Sequence, residues 1–528
     1  MKNRHADVWI VGSGAAGLMA AIAASGAGVR VGVIGKEAPG RGTATERAGG
    51  AFAGAWGGLS EEEQIERTLL SGRGINRLDL VRVLAADGPD RFRDLIDWGM
   101  PHRTTRGALH VLAPDGELGE TPMWSIEIVR CLAAKAGELG ITFIDDTVVA
   151  EIRAGEDGVR LTAHVNGGGG GAEPVQLLGG AVVLAAGGAG GIYLHNDNPP
   201  RMTGNAHALA LDAGAELQDM EFMQFYPMIL AEAGKPRLLI APDEANLGRI
   251  HNRQGEDILD KYGITERPAA RLARDSLSQA MFQEMELDGN EIFIDLSGLT
   301  REAWLQHNLA ETRFDFLQRR YDAFARPLLV APVAHFSVGG ARIDENGATS
   351  VAGLYAAGEA AGGLHGANRM GGNSLAETVV FGHRAGRAAA TYAAGRDQGR
   401  AQGQTLDGGA PPAPMDDARV DGDQLLQDLR AVMWRHAGIR RDAEGLAIGL
   451  GRVREIGAEA AKAGDRPVEL GLAAQTAELI IEAASRRQES RGVHFRADFP
   501  EIDDANWLGN LKVARRAGRL DWRFDAVD

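Results

Sequence analysis

Asp7-Val8-Trp9-Ile10-Val11-Gly12-Ser13-Gly14-Ala15-Ala16-Gly17 decides how this chain is read. Its first five residues form the short apolar run of a buried strand, and glycines follow at once. Leu18 to Ser25, rich in Ala, Met and Ile, reads as a helix, and Val29-Arg30-Val31-Gly32-Val33-Ile34 as a second strand. Strand, glycine turn, helix and strand within about 30 residues make a dinucleotide-binding unit. Gly12 allows the turn, Gly14 lets a pyrophosphate reach the backbone, and Gly17 lets the helix pack on the strand. The free N–H groups at the helix start, Ala15 and Ala16, favour phosphate together with the helix dipole. An acidic residue about 20 residues on would hold a ribose hydroxyl. The strand ends in Gly35-Lys36-Glu37, where Glu37 comes late for that contact.

Two further strands of this kind lie far along the chain. Val182-Val183-Leu184 runs into Ala185-Ala186-Gly187-Gly188, and Gly353-Leu354-Tyr355-Ala356-Ala357 runs into Gly358-Glu359. Three glycine-ended strands predict one cofactor held by a domain assembled from separate segments. Elsewhere, Leu78 to Gly99 reads as an amphipathic helix pair. Ile141 to Ala185 alternates like strands, with a hairpin tip at Gly167 to Gly171. The Gly/Pro/Asp-rich stretch Gln402 to Asp423 reads as a linker, and Leu425–His436, Glu444–Ala461 and Leu470–Arg487 have helical periodicity.

The chain has 528 residues, 44% hydrophobic and 24% charged, which suits a globular protein that buries a full core. Glycine, at 72 residues, is about twice its usual share of roughly 7%. The net charge of −16 argues against nucleic acid and anionic membranes as partners. Cys131 is the one cysteine, so neither an internal disulfide nor a cysteine-ligated cluster or zinc site is available, and no metal site is expected. No signal-peptide pattern and no apolar run long enough to span a membrane is present, and a cytoplasmic location is expected.

The run GLYAAGEAAGGLHGANRMGGNSLAETVVFGHRAG, Gly353 to Gly386, resembles the flavoproteins of the fumarate reductase, succinate dehydrogenase and L-aspartate oxidase family. Met202-Thr203-Gly204-Asn205, Asp219 to Phe225, Ala334 to Gly340 and Glu489 to Arg496 add to the likeness, which covers essentially the whole chain. It implies an α/β fold: a Rossmann-like FAD-binding domain in two parts (1–224 and 341–400) and an inserted α+β capping domain (225–340). A linker (401–422) and a C-terminal helical domain (423–528) would complete it. By this resemblance Gly12, Gly14 and Gly17 hold the pyrophosphate. Lys36 and the 42–50 loop, with Thr43, Ala44, Gly49 and Gly50, run along FAD, and Ala186 and Gly187 border it. Asn205 stands near the adenosine, Glu359 holds a ribitol or ribose hydroxyl, and Asn373, Ser374 and Leu375 lie against the flavin at a helix start.

The departures bear on chemistry. Covalently flavinylated members carry an Arg-Ser-His-Thr run; here it is Arg41-Gly42-Thr43-Ala44, so FAD is expected to be non-covalent. The His-Pro-Thr-Gly run that contacts a carboxylate in dicarboxylate-handling members is Tyr226-Pro227-Met228-Ile229 here. Their Thr-Glu pair falls on Ile240-Ala241. The family's proton-transferring arginine follows an Arg-Asp-Val-Val-Ala frame; Arg274-Asp275-Ser276-Leu277-Ser278 leads to Gln279, which cannot shuttle protons. His335 and Arg369 keep one carboxylate clamp, and Tyr226 either shapes the pocket or replaces the missing acid or base. The expectation is a FAD-dependent oxidoreductase acting by hydride transfer on a small organic acid outside the succinate/fumarate pair. An aspartate-oxidase-like amino acid oxidase is one alternative. The other is a chain exchanging electrons with a separate iron–sulfur partner, since one cysteine leaves no cluster of its own. His494 and Arg496 are read as packing between domains, Cys131 as a small core residue, and Trp56 and Trp124 as core rather than pocket wall. His365 is either structural or near the flavin.

Overall fold

The computed structural model describes residues 2–112, 125–165, 173–235, 237–307, 309–396, 420–462 and 467–527. The hairpin tip at 167–171, Trp124 and most of the expected linker lie outside them.

Five parallel strands form the central sheet, in the order Leu354–Ala356, Ala181–Leu184, Val8–Val11, Val31–Ile34 and Thr142–Ile144. The three glycine-ended strands are therefore adjacent. Leu184 pairs with both Ala356 and Val11, so all three end at one level. Their runs are apolar throughout because both faces of the sheet are covered, by helices such as Ala15–Gly26 and Asn373–Ala394 and by strands Thr147–Gly155 and Gly158–Val165. Helix Ala15–Gly26 crosses helix Asn373–Ala394 closely. A Cβ on Gly382 would lie 2.6 Å from the Ala16 carbonyl oxygen, and one on Gly386 2.2 Å from that of Ala20. The glycine pair four residues apart thus sets how closely these two backbones meet.

An antiparallel sheet of Lys2–His5, Glu173–Gly179, Gly158–Val165 and Thr147–Gly155 flanks this core. A second lobe is built on the antiparallel sheet Leu238–Leu239, Met223–Leu230, Leu328–Ser337, Ile292–Asp295 and Arg249–Asn252. It has an apolar core of its own around Trp304, Leu317 and Tyr321, each fully buried. The buried Arg313–Glu244 ion pair (2.7 Å) closes that core.

Leu78–Asp97 is one helix rather than a pair, with Pro89 inside it. Its apolar stripe, Leu80, Leu84, Phe92 and Leu95, is fully buried, and that burial holds the helix together across the proline. The C-terminal helices are Gly422–Ala437, Ala443–Ala460 and Pro467–Arg486. Asp421 and Asp442 cap the first two, accepting from the Gln424 and Gly445 amides. Their buried faces join the same core as the parallel sheet. Sequence reading missed the closing hairpin, Gly509–Arg516 with Arg519–Ala526, which extends a sheet containing Leu217–Gln218 and Gly340–Arg342.

Candidate active site

A cavity of about 1120 Å³ opens where the three glycine-ended strands stop. It exceeds the range of about 300–1,000 Å³ of most small-molecule sites, which leaves room for a dinucleotide and a substrate together. At one end lie Gly12, Gly14, Ala15 and Ala16. Gly12 has φ +111°, and a Cβ there would sit 2.2 Å from the Ala185 carbonyl oxygen; one on Gly17 would sit 2.0 Å from that of Gly12. These two glycines serve the protein's own packing, and Gly17 does not border the cavity. Gly14 differs. Its Cβ would meet nothing nearer than Thr45 Oγ1 at 3.5 Å, so the space before it belongs to a ligand. Gly14 starts this helix without a capping side chain and no acidic residue stands in its first turn, so beyond the Ala15 amide its first N–H groups are left for a ligand. Thr45, which sequence reading did not single out, accepts from the Ala15 amide at 3.1 Å.

The wall continues through Lys36, Thr43, Ala44, Gly49, Gly50, Ala186, Gly187 and Asn205, all on the cavity, as is Glu37. Lys36 Nζ donates to the Arg201 carbonyl (2.8 Å) and Asn205 Oδ1 (3.2 Å) and pairs with Glu469 (2.8 Å), tying the second strand to the C-terminal helices. Asn205 Nδ2 is buried and has no hydrogen-bond partner among the described residues, which suits a polar group of a bound nucleotide. Thr43 Oγ1 donates to the Gly40 carbonyl at 2.8 Å and caps the turn that follows. Glu359 borders the cavity, accepts from the Ser337 amide (2.8 Å), and is pushed by burial up to about 8. Ser374 and Leu375 reach the cavity from a helix start whose Gly372 cap has φ +86°. Asn373 does not: it is fully buried, donating to Thr68 Oγ1 (3.1 Å) and accepting from Gln64 (3.0 Å).

At the other end the cavity is bordered by His335, Arg369, Tyr226, Asp197 and Arg274. Arg369 is buried over the Phe336 ring, 4.6 Å from its centroid, and donates to Gln224 Oε1 (2.8 Å) and Ser374 Oγ (3.3 Å). Its Nε is buried with no partner among the described residues. Burial, then the charge of Arg274, draws its guanidinium down to about 9. Arg274 stacks 5.3 Å from the Tyr226 ring centroid and is likewise lowered by burial. Tyr226 donates its hydroxyl to the Ile240 carbonyl at 2.7 Å, and burial raises it above the ordinary phenol range. His335 Nδ1 lies 2.7 Å from Asp197 Oδ2.

Gln279 does not border this cavity. It lines a small neighbouring cleft with Ser278 and Val493, and Arg274, five residues earlier on the same helix, borders both that cleft and the cavity. The position taken for a missing arginine is thus peripheral, and Arg274, the arginine of the same run, is the one at the cavity. Where Ile240-Ala241 was matched to a polar pair, the cavity meets Leu239, Ala241, Pro242 and Asp243, the last paired with Arg271 at 2.5 Å. Sequence reading missed Arg274 through that register, and Asp197 through the lack of any motif around it. His365 pairs with Glu377 at 2.9 Å in the core and does not border the cavity. His494 accepts from Arg441 (2.8 Å) and Arg496 donates to the Ala484 and Arg487 carbonyls, which are packing roles. Trp56 stacks edge-on against Phe92. Cys131 is half-buried against the core, which pushes its thiol up to about 11.

Residues 7–375 match the family model described as FAD binding domain, and 426–526 that described as fumarate reductase flavoprotein C-term. The chain belongs to the fumarate reductase, succinate dehydrogenase and L-aspartate oxidase family of flavoproteins. It is 32% identical to an L-aspartate oxidase of Streptomyces coelicolor, over 96% of this chain and 91% of that one. It is 31% identical to the fumarate reductase flavoprotein subunit of Mycobacterium tuberculosis, over 98% of this chain and 96% of that one. Among solved structures, an FrdA mutant of E. coli quinol fumarate reductase superposes with a TM-score of 0.82 at 28% identity, covering 100% of this chain and 97% of that one. This flavoprotein is a FAD-dependent oxidoreductase with the two-lobed fold of its relatives. No helix among the described residues is long and apolar enough to cross a membrane.

Proposed function

We propose that this flavoprotein transfers hydride between FAD, held non-covalently, and a small organic acid whose carboxylate is gripped by Arg369. The observation that carries this reading is two buried guanidiniums, Arg369 and Arg274, bordering one end of the cavity. Of the carboxyl groups there, Asp197 is engaged by His335, Asp243 by Arg271 and Asp275 by Arg73, and Glu359 is drawn toward its neutral form by burial. Uncompensated buried cations favour an anionic ligand. FAD, when bound, supplies the two-electron acceptor or donor. Arg369 supplies the fork: Gln224, Ser374 and the Phe336 ring fix its plane, so a carboxylate meets it in one orientation.

Tyr226 acts as wall. Its hydroxyl is committed to the Ile240 carbonyl, and its raised pKa makes it a poor base. Arg274, stacked on the Tyr226 ring, adds a second buried cation at the substrate end of the cavity. With Tyr226 committed and Leu239, Ala241 and Pro242 alongside, this end shows no second clamp of a dicarboxylate site among the described residues, which favours substrates other than succinate and fumarate. The relatives named for L-aspartate and for fumarate are consistent with a small-acid substrate class. The test is anaerobic bleaching of the visible flavin band by succinate, L-aspartate and a panel of amino and hydroxy acids. A small monocarboxylate or amino acid should bleach it, and Arg369→Ala should abolish bleaching while FAD stays bound. Unchanged reduction in Arg369→Ala would overturn the reading.

A further inference from the structure

We propose that Asp197 and His335 form a dyad in which Asp197 fixes the imidazole tautomer, so that His335 Nε2 takes the substrate's proton during oxidation. This rests on the substrate reading above. The dyad is built into the backbone. His335 sits on the strand Leu328–Ser337, next to Ala334. The Ala334 amide donates to the His195 carbonyl (2.9 Å), and the Asp197 amide and Asn198 Nδ2 both donate back to the Ala334 carbonyl (3.3 and 3.0 Å). The segment carrying Asp197 is therefore pinned to the strand one residue from the histidine. Asn198 Nδ2 also reaches Asp197 Oδ1 at 3.4 Å, leaving Oδ2 for His335 Nδ1 at 2.7 Å.

A carboxylate accepts only, so Nδ1 must carry the proton in this contact, and the neutral ring presents a lone pair at Nε2. Both side chains border the cavity that holds Arg369. A neutral imidazole acting merely as a carboxylate donor would need the opposite tautomer, which Asp197 forbids. The geometry instead suits a substrate with N–H or O–H on the carbon that is oxidised. That carbon's hydrogen leaves as hydride, with its electron pair, to bound FAD. The heteroatom's proton passes to Nε2, a C=N or C=O bond forms, and the proton then departs to solvent. Asp197 is a positioning residue: it acts through His335.

The test is ¹⁵N NMR of the holoprotein labelled in its histidine rings, with His335→Gln identifying the signal among 13 histidines. In the wild type the neutral ring should carry its proton on Nδ1. In Asp197→Asn the amide oxygen faces Asn198 Nδ2 and the amide nitrogen faces the ring, so the proton should move to Nε2. Reduction of the flavin by the best panel acid should then slow on the order of 10²-fold, the lower bound of general-base catalysis. A wild-type ring protonated on Nε2, an unchanged tautomer in Asp197→Asn, or a rate within about threefold of wild type would each overturn the dyad. The wild-type tautomer needs no stable variant of Asp197. If no panel acid bleaches the flavin, the substrate reading falls, and the tautomer still decides the dyad.

Discussion

Gly14→Ala and Gly17→Ala add the same methyl group three residues apart, and the structure assigns them opposite consequences. At Gly14 the backbone is extended (φ −74°, ψ −175°), which alanine adopts freely, and the nearest atom to the new Cβ is 3.5 Å away. Loss of chain entropy in the unfolded state favours alanine by about 0.4–1 kcal/mol. Poorer capping of the helix start disfavours it by a similar amount. The deflavinated protein should therefore melt within a few degrees of wild type. The methyl instead occupies the space a phosphate needs. An overpacking cost of about 1–3 kcal/mol corresponds to a roughly 5- to 150-fold rise in the Kd for FAD. At Gly17 the methyl would lie 2.0 Å from the Gly12 carbonyl oxygen, contact that no rotamer relieves. The apoprotein itself should lose several kcal/mol, since the first strand and helix must separate. FAD titration by fluorescence quenching and calorimetry of the apoproteins read the two effects separately. Wild-type FAD affinity in Gly14→Ala, or an apo Gly17→Ala as stable as wild type, would refute the assignment.

Other outcomes follow from the same geometry. Gln279→Leu should leave flavin reduction within about twofold of wild type, whereas Arg274→Gln, which removes a buried cation from the substrate end, should slow it on the order of 10²-fold, read by stopped-flow reduction. Trp304→Ala removes a fully buried ring donating to the Ala310 carbonyl and packed edge-on against Phe314 and Phe324. It should cost about 3–5 kcal/mol, seen as faster proteolysis in the 225–330 lobe with the flavin still bound. His207, fully buried, is held by desolvation at about 4. The unfolded chain takes up that proton near pH 6.5, and the folded protein not until about pH 4. Stability should thus be lost as pH falls through that window, by about 3 kcal/mol from this residue. His207→Gln should flatten the acid limb of a denaturation series by that amount.

Residues 7–34 are legible because a βαβ unit is a local object. Its strand–glycine–helix order and its tight contact of Gly17 on Gly12 arise wherever that order occurs. The C-terminal helices were legible through periodicity. The hairpin at 509–526 was not, because its strands find partners near Leu217 and Gly340, hundreds of residues away. Asn373 was placed on the cofactor by its position in a motif. Its side chain turns to Thr68 and Gln64, a choice made by packing against another helix.

What the sequence alone determined is the kind of machine: a dinucleotide site at adjoining strand ends and a family with FAD in it. Short-range backbone geometry dictates these, and glycine spacing records that geometry. The reactive end was decided by tertiary structure. Arg274 borders the cavity, and Gln279, five residues on along the same helix, only the cleft beside it. Tyr226 is withdrawn from acid–base work by a carbonyl fourteen residues on. Asp197 meets His335 across 138 residues because both are pinned to one strand. A carboxylate without a motif becomes part of an active site only when folding sets it 2.7 Å from an imidazole.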